Sequence, residues 1–173
     1  MNKFLSVVLG VVLCVPFLGW AGARIYNGII FDREVGGHLK RAADANSVEI
    51  AKKELEVALK MMGQWKMTEG YTSVVYTTPD EDVGFWYNNL KTCVQQINEL
   101  PPTATQGEKD LVLLKLRETL LDHGKQGHET ITAPDGISVF PHNTLFVVWL
   151  WLTAPIALLG AFIAVFPFVP PAR

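Results

Sequence analysis

The side chains best able to do chemistry in this chain are four histidines, His38, His123, His128 and His142, together with its acids. Metal ligands on one helix face recur three or four residues apart. His123 and His128 are five apart and flank glycines, so they read as surface or capping residues rather than a zinc site. His38 falls on the polar side of a helical pattern. Asp80, Glu81 and Asp82 form a dense carboxylate run, but they follow Thr78-Pro79, and acids just after such a pair belong to a helix start. Ser47 and Ser73 lack a neighbouring His and Asp to activate them. Gly36-Gly37 has neither a preceding strand nor a following Lys-Ser/Thr, so it is no phosphate loop. The expectation is a non-enzymatic chain with no catalytic, cofactor-binding or metal-binding residue.

Cys14 sits in an apolar run and Cys93 in a polar segment, which places them in different solvents and excludes a bond between them. Cys93 reads as a small core residue, with a bridge between two copies of the chain as the alternative. Phe85, Trp86 and Tyr87 are adjacent aromatics on a helical pattern, so one or two must point away from its apolar seam. Tyr71, Val74 and Tyr76 lie in an uncharged stretch rich in Thr and Ser. These six residues are the expected partner-binding surface, since exposed aromatics dominate docking contacts.

The elements that would position them lie in the middle of the chain. A first helix is expected over about 32–62, with Val48, Ala51, Leu55, Ala58 or Leu59, and Met62 on one face and a break or bend at Gly36-Gly37. Residues 68–78 have no helical period and read as an extended loop or short strand. Thr78 to Glu81 starts a second helix, whose seam is Val83, Trp86, Leu90, Cys93 or Val94, Ile97 and Leu100 before Pro101-Pro102. Thr105 and Glu108 repeat the capping-box spacing for a third helix, with Val112, Leu113, Leu116, Leu120 and Leu121 apolar and an end at His123-Gly124. The connector 124–143 carries turn signals, and Ile137, Val139 and Phe140 suggest a short extended piece against the helices.

Both ends are different. Phe4–Ala23 is 20 residues without a charge and Thr144–Ala172 is 29. About 20 apolar residues cross a bilayer as a helix. All seventeen acids and thirteen of fifteen basic residues lie between, leaving that middle segment at −4 and a poor nucleic-acid binder. Lys3 followed by an apolar run, with Ala21-Gly22-Ala23 as a cleavage site, also fits a secretory signal. The run is long for a signal, and Trp20 and Tyr26 flank it as interfacial aromatics do, which favours an uncleaved anchor. In the second run, Trp149 and Trp151 resemble an aromatic belt, Pro155 suggests a kink, and Pro167, Pro170 and Pro171 end the helix. Small residues four apart, among them Gly10, Gly19, Ala23, Ala157, Gly160, Ala161 and Ala164, form the expected membrane-packing faces. Neither run holds a histidine for a haem or chlorophyll, nor a charge for an ion path.

The fold class expected is all-α: two transmembrane helices flanking an extracytoplasmic three-helix antiparallel bundle with irregular loops. Its parts are an N-terminal anchor at 1–30, the bundle at 31–123, the connector at 124–143, and the second helix with its tail at 144–173. Lys3 and Arg173 put both termini in the cytoplasm of a bacterial inner membrane and the middle domain in the periplasm. This layout, with the alanine-rich stretch 38–46, resembles the sensory half of bacterial chemoreceptors. It departs from them in the short tail after the second span, so a sensing role would pass its change to another membrane protein. The expected function is an accessory or scaffold subunit whose partners are lipid and a larger membrane complex or copies of itself. The alternative is a membrane-anchored small-molecule sensor.

Overall fold

The computed structural model describes residues 2–123 and 129–168. The chain is mostly helical and divides into two compact units, 1–27 with 142–173, and 28–141.

The first unit pairs α1 (Lys3–Phe31, up to residue 27) with α6 (Asn143–Val165). At 29 and 23 residues these helices extend for about 43 and 35 Å. Both are long and apolar enough to cross a membrane, and only 11% and 17% of their most apolar stretches is buried. Leu5, Val12 and Leu18 on α1, and Leu152, Leu158 and Phe162 on α6, face outward. The contacts pair positions in reverse order, so the helices are antiparallel. The Cys14 thiol meets the Ala157 carbonyl at 3.5 Å, and the Trp20 indole N–H donates to the Phe146 carbonyl at 2.9 Å. The α6 helix runs through Pro155, and a 3-10 turn at Phe166–Phe168 follows it.

The second unit has its own core. The helical backbone continues past Phe31 through a π turn, Asp32–Gly36, into α2 (Gly37–Ala43). The expected single helix over 32–62 is therefore two. Asp44 to Ser47 interrupt it, and α3 (Val48–Gln64) begins where the Ser47 hydroxyl accepts from the Ile50 N–H. Asn and Ser side chains compete for backbone hydrogen bonds and so favour a cap over a continuing helix. At the glycines, where a break or bend is expected, the helical hydrogen bonding continues through a π turn. The Gly37 N–H bonds back to Asp32, five residues away, and a Cβ at Gly37 would stand 2.9 Å from that carbonyl. A Cβ at Gly36 would stand 3.0 Å from the tip of Ile131.

The second expected helix starts later than its sequence suggests. Thr78-Pro79 opens only a 3-10 turn, Pro79–Glu81, with the Thr78 hydroxyl donating to the Glu81 carboxylate at 2.5 Å. Asp82 is drawn into extended backbone by a bridge to Tyr71: Thr72 N–H donates to Glu81, and Val83 N–H to Gly70. Its carboxylate then caps α4 (Val83–Asn98) by accepting from the Phe85 N–H at 2.9 Å. The seam Val83, Trp86, Leu90, Cys93 and Ile97 is buried as expected. Thr105 and Glu108 form both halves of the capping box of α5 (Gln106–Leu120), and the Glu108 carboxyl is held below its ordinary value by the Thr105 N–H and hydroxyl.

The end of α5 departs from expectation. The chain becomes extended at Leu121, and β1 (Leu121–His123) pairs antiparallel with β2 (Glu129–Ile131), Leu121 opposite Ile131. This ribbon adds strand to a chain expected to be all helix. His128 and the Gly124 cap, like Pro170 and Pro171, lie outside the described residues. Ile137 and Val139 are buried, but in a 3-10 turn rather than an extended piece, because Gly136 takes a left-handed φ of 75° and starts a tight turn there. Helices α2 to α5 share one core, with Leu39, Leu55, Met62, Leu90 and Leu120 almost wholly buried.

Glu54 is the one carboxylate among the buried residues described. His38 meets it at 2.6 Å and Arg41 at 2.8 Å, so α2 and α3 are tied across their polar edge. His38 is thus a cross-helix partner rather than a plain polar-face residue.

Candidate functional site

A groove of about 780 Å³ opens in the second unit, beside the first turns of α4. Its floor is Trp86 and Leu90, both buried members of the α4 seam. The Trp86 indole N–H donates to the Thr132 carbonyl at 2.6 Å, which holds the segment after β2 against α4 and sets one wall, Thr132-Ala133-Pro134. Thr119 from α5 and Asp122 from β1 continue that side. The other side is Thr77 to Asp80, with Tyr71 and Phe85. Phe85 is 64% exposed because the α4 face it occupies points away from the core.

Three carboxylates reach the groove, Asp80, Asp82 and Asp122. Asp82 is engaged as the α4 cap. Among the described residues neither Asp80 nor Asp122 has an ion-pair partner, and the described lining holds no Lys, Arg or His. Behind the wall lies Cys93, whose thiol is pushed up by burial, against the opposing pull of a hydrogen bond with Thr119 and the charge of Lys115. Both cysteines are free thiols, and Cys93 is buried. No group of His, Cys, Asp and Glu among the described residues is arranged to hold a metal ion.

The structure sorts the six aromatic and apolar residues singled out for partner binding. Tyr71, Phe85 and Trp86 come together in the groove. Val74 and Tyr76 are exposed outside it. Tyr87 turns the other way, packs against the core, and carries the Lys91 ammonium 5.7 Å from its ring centre. The small residues of the apolar helices are sorted as well. Gly10, Gly160 and Ala164 meet at a crossing so close that a Cβ on Gly160 would stand 2.7 Å from the Gly10 carbonyl and 2.8 Å from the Leu13 Cβ. Gly19 lies beside Trp149, Ala157 offers its carbonyl to Cys14, Ala23 is half-buried, and Ala161 faces outward.

No family model matches this chain, and neither a curated protein nor a solved structure does.

What the groove can do follows from its own lining. It offers apolar and ring surface below, hydroxyls at Thr77, Thr78, Thr119 and Thr132, and negative charge at the rim. Sequence reasoning missed Asn89, Thr119, Asp122 and the 132–134 wall. The β-branched run Thr130-Ile131-Thr132 was the available signal for the strand that carries that wall.

Proposed function

We propose that this chain is a membrane-anchored, non-enzymatic accessory subunit of a larger membrane assembly. The observation that carries this reading is the pair of antiparallel apolar helices on which most large side chains face outward, in a chain that also holds a separately cored polar unit. Such helices need lipid or apolar protein around them. An antiparallel pair returns the chain to its starting side. Both termini then lie together, in the cytoplasm by the Lys3 and Arg173 charges, and 28–141 lies outside, a helical bundle in the periplasm of a bacterial inner membrane. Val75 and Tyr76, 86% and 74% exposed, together with Phe85, form the surface offered to a neighbour.

The test is the mass of the chain extracted in native lipid discs, with impermeant labelling of single cysteines placed at 76 and at 3. The expected result is a particle well above the 19.2 kDa monomer, with position 76 labelled from outside and position 3 not. A bare monomer, or label at position 3 instead, defeats the reading.

A second reading, a membrane-anchored small-molecule sensor, is favoured by the groove itself. Its volume of about 780 Å³ lies within the range of ligand sites, and its walls come from α4, α5 and the ribbon, so an occupant would touch elements that share one core.

A further inference from the structure

We propose that the groove over Trp86 binds a small organic cation, an ammonium group carried on an apolar or aromatic body. The proposal rests on the ligand-binding reading and names the chemistry of the occupant. Carboxylates at a rim would by themselves be a solvated edge. Here they overhang a cleft walled by aromatic rings: Trp86 is buried at the floor, and Tyr71 and Phe85 stand at the sides. A ring face attracts a cation, and more strongly where water is partly excluded. Asp80 comes from the turn before α4 and Asp122 from β1, so negative charge approaches from two separate elements.

Other ligand classes fit less well. An anion would face the carboxylates and the negative faces of the rings, with no basic side chain in the described lining to receive it. A neutral apolar molecule would fill the floor but strip water from Asp80 and Asp122 without replacing it. A bare metal ion lacks a converging ligand set among the described residues. An ammonium on an apolar body satisfies both halves of the groove, with the body on Trp86 and the charge between the rings and the rim.

Calorimetric titration of the full chain in lipid discs at low ionic strength tests this. Three probes share a phenyl ring and differ in charge: 2-phenylethylammonium, 2-phenylethanol and 3-phenylpropanoate. The ammonium is expected to bind about tenfold more tightly than the alcohol, and the carboxylate not measurably. The Asp80→Asn, Asp122→Asn double variant, with an unchanged melting profile, is expected to lose most of the ammonium's advantage over the alcohol, the rings and Asp82 keeping the remainder. Asp122→Asn alone should remove part of that preference. Phe85→Leu should weaken the ammonium more than the alcohol. Equal affinity for ammonium and alcohol in the native chain overturns the cation assignment and leaves the groove a site for neutral ligands. An undiminished preference in the double variant overturns it too. No binding of any probe up to about 10 mM removes the ligand-binding reading as well.

Discussion

Where α1 and α6 cross, Gly10 and Gly160 make the closest approach, with Ser6, Thr153 and one large ring, Phe146, also buried on these helices, whereas α2 to α5 close over Leu39, Leu55, Met62 and Leu120. One interior brings backbones together and the other fills the gap with side chains. The difference is the one expected from the proposed surroundings, lipid for the first unit and water for the second. In lipid, burying a leucine against another helix gains little over leaving it in acyl chains, so close approach and dispersion decide. In water, removing apolar area is the main driving force, at about 25 cal/mol per Å². Glycine shows the contrast within one sequence. Gly10 and Gly160 let two helices touch, while Gly36 and Gly37 let one helix take a π turn under Ile131.

Substitutions in the two units sharpen this comparison. Leu55→Ala is expected to cost the second unit about 2–5 kcal/mol in denaturant unfolding, since Leu55 is fully buried. The same change at Leu158, exposed on α6, should leave that transition unmoved. Gly160→Leu should have the reverse pattern. It forces apart the α1–α6 crossing, at about 1–3 kcal/mol, and lowers a lipid-dependent melting step while the denaturant transition of 28–141 stays put. Equal sensitivity of both steps to both variants would break the distinction between the two interiors.

Smaller effects belong to the polar edge of the second unit. Glu54→Ala should cost about 1 kcal/mol, because it removes the shared partner of His38 and Arg41 while Arg41 stays solvated. Glu54→Leu should recover that loss, as apolar replacements of buried charges often do. Lys66 closes α3 with a left-handed φ of 59°, so Lys66→Gly is expected to raise stability by about 0.5–1 kcal/mol. The smallest effect concerns pH. The Glu108 carboxyl lies below its ordinary 4.5 in the folded chain. Its contribution is therefore complete above that ordinary value and is lost as pH falls through the folded one. Melting curves between pH 6 and pH 3 should show a component that shrinks in Thr105→Ala, in which both hydroxyl contacts of the capping box are gone while the backbone N–H of residue 105 still donates to the Glu108 carboxylate.

Legibility in the sequence followed the range of the interaction. The capping box at Thr105–Glu108 and the α4 seam were readable because their partners lie three or four residues apart. The interruption at Asp44–Ser47 was masked by apolar spacing that continues across it, although Asn46-Ser47 carried a capping signal. The delayed start of α4 was hidden because a long-range bridge, Tyr71 to Asp82, overrides the local Thr78-Pro79 pattern. The ribbon was hidden because three residues on each side are too few to show a period. The groove depends on such distant pairings. Trp86 and Thr132, whose hydrogen bond fixes its wall, are 46 residues apart. Tyr71, Phe85 and Trp86 were recognisable as notable aromatics, but their convergence with Asp122 is a product of tertiary structure.

One junction in the second unit has mechanical meaning. α5 ends at Leu120 and β1 begins at Leu121, with no residue of slack between them. The Thr132 N–H donates to the Leu120 carbonyl at 2.8 Å, and the Trp86 indole grips the Thr132 carbonyl. The base of the ribbon is thus held at two points, to the end of α5 and to α4. Anything that pushes Asp122 or Thr132 outward levers the last turn of α5 against the helices it rests on, α2 among them.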